Sequence, residues 1–152
     1  MAPMQFTDTV RTLLASKPAI VRSITPDQTV LDALAMMAEY DIGALLVMED
    51  GRLVGIFSER DYARKLVLAG RMSRETPIAE VMSSPVIFVT PDHNVAECMQ
   101  IMTMQRIRHL PVLRHDSVIG IVSIGDILKW MLQSQEEIIR HLESYISGTP
   151  RY

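Results

Sequence analysis

Cysteine is almost missing from this chain: the single Cys98 cannot close an internal disulfide, so packing alone must hold the fold. Long apolar runs are missing as well. The longest, residues 42–48, falls far short of the roughly 18 residues a membrane span needs. There is no excess of positive charge, since 15 Lys and Arg stand against 18 Asp and Glu for a formal net charge of −3. A nucleic-acid protein is therefore not expected, because phosphate contacts usually mark a domain as basic. Residues 1–8 carry neither a basic leader nor an apolar stretch, which makes the cytoplasm the expected compartment. His93, His109, His115 and His141 lack the spacing of a metal site, and no Ser-His-Asp set or glycine-rich phosphate loop points to catalysis.

What the chain does have is an ordinary globular composition. Of its 152 residues, 48% are hydrophobic and 22% charged, which excludes disorder and low-complexity structure. A chain of this length suits one globular unit or two very small ones and buries about 68–70% of its unfolded surface, so no staple is required. Sliding the chain by 65 residues lays 21–67 on 86–132 without a gap. Val21, Thr25, Pro26, Asp27, Val30 and Met37 fall on Val86, Thr90, Pro91, Asp92, Val95 and Met102, and Ile42, Leu45, Gly55, Ser58 and Asp61 fall on Ile107, Leu110, Gly120, Ser123 and Asp126. Polar and apolar positions stay in register together, as a tandem duplication requires.

Each repeat runs through the same periodicities. A short extended segment ends at Ile24 or Val89 and is broken by Thr-Pro-Asp, in which proline fixes φ and aspartate favours a turn. Val30, Ala33, Leu34 and Met37 follow at helical spacing, as do Val95, Cys98, Met99 and Met102. These spacings assign the paired methionines and Cys98 to packing rather than to soft-metal or nucleophilic chemistry. Residues 44–48 and 52–58 then predict two strands around Asp50-Gly51, a strong hairpin signal, whereas His115-Asp116 leaves the second turn type open. A second helix is expected over 61–68 and over 126–132. The unit is β-α-β-β-α, twice, in an α+β fold.

Outside the repeats, Thr76-Pro77 predicts an N-cap followed by proline at the first helical position, with a short helix to about Met82. Residues 9–16 look like the equivalent lead-in helix for the first repeat. Ile138, Ile139, Leu142 and Ile146 continue a helical stripe that ends at Gly148 and offers a face to the parent domain or a second chain. The resulting divisions are 1–20 (lead-in), 21–68 (first repeat), 69–85 (linker), 86–133 (second repeat) and 134–152 (tail).

Gly55-Ile56-Phe57-Ser58-Glu59-Arg60-Asp61 and Gly120-Ile121-Val122-Ser123-Ile124-Gly125-Asp126 resemble the G-h-x-[ST]-x-x-D signature of CBS (cystathionine β-synthase type) domains. Residues 106–112 also resemble the segment before that family's central hairpin. The resemblance covers about residues 9–135. It implies a CBS pair, or Bateman module, whose repeats pack about a pseudo-twofold axis with two clefts, bind AMP, ADP, ATP, NAD or S-adenosylmethionine, and carry no catalysis of their own. A homodimer signalling to a separate target protein is the implied partnership.

The residues give that reading a chemical basis. An ionised aspartate accepts through two oxygens, so Asp61 or Asp126 can receive both hydroxyls of a ribose, with Ser58 or Ser123 beside it. Backbone N–H groups at the helix starts would favour phosphate. The same Ser-x-x-Asp box also serves as a plain helix cap, and both aspartates are expected at helix starts rather than in the core. By resemblance, Ile42, Gly43 and Ala44, and Ile107, Arg108 and His109, meet the adenine, while Ile56 and Ile121 cover its faces. Asp126 would share a cleft with the Ile42 segment and Asp61 with the Ile107 segment. Arg60, whose counterpart is Gly125, suits a phosphate; Lys17 and Arg108 suit anionic groups, and all three also read as solvated surface charges. A structural dimerisation module with degenerate clefts is the second reading, and an enzyme a distant third.

Overall fold

A computed structural model describes residues 5–147. The chain divides into two compact units, one made of residues up to Ala19, Val89–Val112 and those from Ile121 onward, the other of Ile20–Phe88 and Leu113–Gly120. They are called the Asp126 unit and the Asp61 unit below.

In the Asp61 unit, β1 (Ser23–Ile24) leads through Thr25-Pro26 to α2 (Val30–Tyr40) and returns as β2 (Ala44–Glu49), parallel to β1. Thr29 starts α2 because its side chain accepts from the Asp32 N–H while the Asp32 carboxylate accepts from the Thr29 N–H, a reciprocal cap. β3 (Arg52–Ser58) pairs antiparallel with β2 across Asp50 and Gly51, both at positive φ. That turn twists as the strands do, which is why Asp-Gly suits it. Ile24, Val30, Ala33, Met37, Leu45, Val47, Phe57, Leu66, Ile78 and Val81 form the core.

The Asp126 unit repeats this set. α1 (Val10–Ala15), α4 (Val95–Gln105), β4 (His109–Arg114), β5 (Ser117–Ser123) and α5 (Ile124–Ser147) are its elements, with the β4–β5 hairpin tip counted in the other unit. Val89, Val95, Cys98, Met102, Leu110, Val112 and Val122 are buried at the positions matching seven core residues of the first repeat. The shared core is what the shared periodicity encodes.

Several expectations need correction. The helix expected over 61–68 begins with one α-turn, α3 (Glu59–Asp61), and continues as a wider π-helical run over Tyr62–Val67, in which the Leu68 N–H reaches back five residues to the Ala63 carbonyl. Leu66 is buried there while Lys65 stays at the surface side. In the second repeat the closing helix does not stop near 132: α5 continues unbroken to Ser147, and Gly148 lies outside the described residues. In the linker, Thr76 is not a cap. Its hydroxyl donates to the Met72 carbonyl and its own carbonyl accepts from the Val30 N–H, so only a single 3-10 turn, Ile78–Glu80, follows Pro77.

The lead-in segments are exchanged relative to the sequence reading. Residues 9–16, expected to serve the first repeat, join the second: the Val10 N–H donates to the His93 carbonyl and the Val95 N–H to the Asp8 carbonyl. The linker turn joins the first repeat by the same bonds, Ile78 to Gln28 and Val30 to Thr76. The second hairpin, left open above, is also a two-residue turn with both residues, His115 and Asp116, at positive φ.

Candidate functional site

Each repeat places its signature where a strand runs into a helix. In the Asp61 unit the Ser58 hydroxyl accepts from the Asp61 N–H at 3.2 Å, and Asp61 Oδ2 accepts from the Ser58 N–H at 3.0 Å and from the Ser58 hydroxyl at 3.1 Å. In the Asp126 unit Ser123 Oγ accepts from the Asp126 N–H at 3.0 Å, and Asp126 Oδ2 accepts from the Ser123 N–H at 2.9 Å. Both boxes are thus true helix caps, and in both the cap uses Oδ2. Capping alone leaves Oδ1 of each carboxylate for something else.

What surrounds the carboxylates differs. Asp61 Oδ1 accepts from the Ser83 hydroxyl at 2.9 Å and is paired with the Lys65 ammonium at 3.1 Å. Ser83 is held there because its backbone exchanges both bonds with Ile56. Asp61 is only 7% exposed, so the expectation that both aspartates lie outside the core fails for this one. At Asp126 the added partner is Lys17, whose ammonium donates to Oδ2 at 2.6 Å and to the Ile121 carbonyl at 2.9 Å. Lys17 and Asp126 side chains remain about a quarter exposed. Burial pushes the Asp126 pKa up, but the hydrogen bonds from Lys17 and Ser123 outweigh it and hold the carboxyl below its ordinary range.

The strand segments expected to meet a base lie beside these boxes, each in its own unit. The Gly43 carbonyl accepts from the Glu59 N–H, setting Ile42, Gly43 and Ala44 against Ser58 and Asp61. The Arg108 carbonyl accepts from the Ile124 N–H, setting Ile107, Arg108 and His109 against Ser123 and Asp126. Ile56 and Ile121 are half-buried, Arg60 and Arg108 exposed. Ser83 and Lys65 were missed in the sequence. Lys65 stands four residues after Asp61, a readable helical pairing; Ser83 comes from the linker and gave no signal. Cys98 is buried and its thiol is pushed up to about 11, chiefly by burial and then by Glu97, which fits a packing residue. Among the described residues no group of three or more His, Cys, Asp or Glu is placed to hold a metal, and no helix is long and apolar enough to cross a membrane.

The decisive comparison is with family models: the CBS domain matches residues 10–68 and 78–133. The chain belongs to the CBS domain family. It is 41% identical over 129 residues to the Arabidopsis thaliana CBS domain-containing protein CBSX3, mitochondrial, covering 82% of this chain and 63% of that protein. It is 34% identical over 107 residues to the CBS domain-containing protein YhcV of Bacillus subtilis, covering 70% of this chain and 76% of the relative. A solved structure of a signal-transduction candidate with CBS domains from Burkholderia ambifaria MC40-6 is similar at a TM-score of 0.78 and 45% identity, over 80% of this chain and 91% of that one. The match thus spans slightly under two thirds of the Arabidopsis relative. Such CBS-pair proteins are generally non-catalytic regulatory modules that bind adenosine-containing ligands.

Proposed function

We propose that this CBS-domain protein is a regulatory module, not an enzyme, that binds an adenosine nucleotide (AMP, ADP, ATP or NAD, with S-adenosylmethionine the remaining class member) and passes its occupancy to a separate target protein. The functional part is the pair of repeats, 21–68 and 86–133. The observation that carries the reading is the intact Ser-x-x-Asp box at both strand-to-helix junctions, each beside its own Ile42 or Ile107 segment. Asp126, whose cap and Lys17 share Oδ2, keeps Oδ1 for ribose hydroxyls, whereas Asp61 would have to exchange Ser83 or Lys65 for them, and the adjoining strand backbone offers the edge contacts a base needs. Ser58, Asp61, Ser123 and Asp126 are assigned to the sugar, Arg60, Arg108 and Lys17 to anionic groups, and Ile42, Gly43, Ala44, Ile56, Ile107, His109 and Ile121 to the base.

We further propose that the protein acts in the cytoplasm as a homodimer; Leu128, Leu132, Ile139 and Leu142, which stay more than half exposed on α5, support the dimer. Light scattering should give twice the 17.1 kDa chain mass. Calorimetry with a panel of adenosine ligands tests the main reading, and a panel without any binder would favour the structural dimerisation module.

A further inference from the structure

α5 carries two apolar stripes of different kinds. Ile127 is wholly buried and Trp130 and Met131 are half-buried, so that face closes the second repeat. Leu128, Leu132, Ile139 and Leu142 are exposed on another face, with Gln135, also exposed, between them. Steps of four, three, four and three residues set these five positions within about 80° of one another round the helix. That is the narrow a/d seam of a coiled coil rather than the broader stripe of a helix on a globular core. The helix is unbroken from Ile124 to Ser147, so its last turns cannot fold back on their own unit. The matching helix of the first repeat ends at Val67, so closing a repeat does not need them.

The charges beside the seam identify what covers it. Lys129, Glu136 and Glu143 line one edge, and all three are exposed. Laid antiparallel with Leu132 opposite the partner's Leu142, a second α5 brings Gln135 opposite the partner's Ile139 and Lys129 beside the partner's Glu143. Twofold symmetry forms that ion pair twice. Glu136 meets its own copy at the centre, where each is already paired with Arg140 of its own helix at 3.7 Å. A parallel pair would instead bring Glu136 and Glu143 to the positions of the partner's Met131 and the partner's Ile138, and match no charges. We infer that a second copy of this chain covers the seam, the two α5 helices lying antiparallel with the end of each over Leu128 and Leu132 of the other. This rests on the homodimer proposed above and adds to it the surface that forms it and its direction.

The ion pair makes the direction testable. Within one chain Lys129 and Glu143 lie 14 residues apart, about 21 Å along the helix, too far to pair. Sedimentation of the full chain down to nanomolar concentration measures the dimer of wild type, Lys129→Glu, Glu143→Lys and the double variant. Each single change should weaken association by about tenfold, since two attractive pairs become two repulsive ones, and the double change should restore it to within about threefold. Gln135→Leu should tighten the dimer by about tenfold, because two amides leave the seam. A dimer that ignores both single changes, or that the double change fails to rescue, overturns the antiparallel pairing and leaves the homodimer standing on another surface. The single-chain mass of 17.1 kDa at every concentration overturns the homodimer and the pairing together.

Discussion

The two carboxylates of the repeated signature began from one ancestral position and now live in different surroundings. Asp61 is buried under a serine from the linker and a lysine from its own helix, with three hydrogen bonds and an ion pair. Asp126 is more open, and beyond its cap it holds one partly exposed lysine, Lys17. The lysine at 65 is matched by Trp130 in the second repeat, so the ion pair inside the first helix has no counterpart in the second. A duplicated motif thus keeps its cap, which local backbone geometry demands, while everything beyond the cap is free to diverge.

The same contrast runs through the cores and sets the largest expected effect. Phe57 and Val122 occupy matching positions and both are wholly buried. Phe57→Ala should cost about 3–5 kcal/mol, against about 1.5–3 kcal/mol for Val122→Ala, because the larger ring leaves the larger cavity. Urea unfolding of both variants checks this. Equal losses would mean that the Asp126 unit relies on its smaller residue as heavily as the Asp61 unit does on its ring.

Next in size is the loss of each aspartate. Asp61→Ala removes the anchor of Ser58, Ser83 and Lys65 together and should destabilise the protein by about 2–4 kcal/mol. Asp126→Ala should cost about 0.5–1.5 kcal/mol, a cap and a partly exposed pair, while weakening nucleotide binding by about tenfold or more. Thermal unfolding beside calorimetry separates the two effects, and reversed stability losses would mean that burial and extra partners do not make Asp61 the more structural of the two. Acid sharpens the contrast. Because the folded Asp126 pKa is depressed, its contribution is complete above the unfolded value of about 3.9 and is lost as pH falls through the lower folded pKa. Asp126→Asn should therefore flatten the part of the stability profile below about pH 4, read by unfolding midpoints across that range.

How much of this could be read from the residues depends on range. Periodicity gave the repeat and its buried positions, since Val30, Ala33 and Met37 report a helix face without any knowledge of the rest. The caps at Ser58 and Ser123 were equally local. The exchange of lead-in segments was not legible, because residues 9–16 and 78–80 carry apolar positions that would suit either repeat; only long-range bonds such as Val10 to His93 decide it. Burial of Asp61 was hidden for the same reason, as Ser83 lies 22 residues away. The π-helical run over Tyr62–Val67 has no sequence signature that distinguishes it from an ordinary helix.

The smallest effect concerns the turns. Asp50-Gly51 and His115-Asp116 make the same two-residue hairpin, but only the first has glycine at its second position, where φ is +76° for Gly51 and +64° for Asp116. A side chain at such a φ crowds its own backbone, at a cost of about 1–2 kcal/mol that aspartate lessens through local hydrogen bonding. Asp116→Gly should therefore stabilise the protein by about 0.5–1 kcal/mol, part of the relief being offset by the greater freedom of glycine in the unfolded chain. Gly51→Ala should lose about 1 kcal/mol, since no neighbour lies within 4 Å of the added Cβ and the strain is purely conformational. Both changes sit at exposed hairpin tips, each at the opposite end of its strand from the signature aspartate that follows, so nucleotide affinity should stay constant while the unfolding midpoints move in opposite directions. A destabilised Asp116→Gly would mean that the aspartate side chain, rather than the backbone angle, holds the second turn.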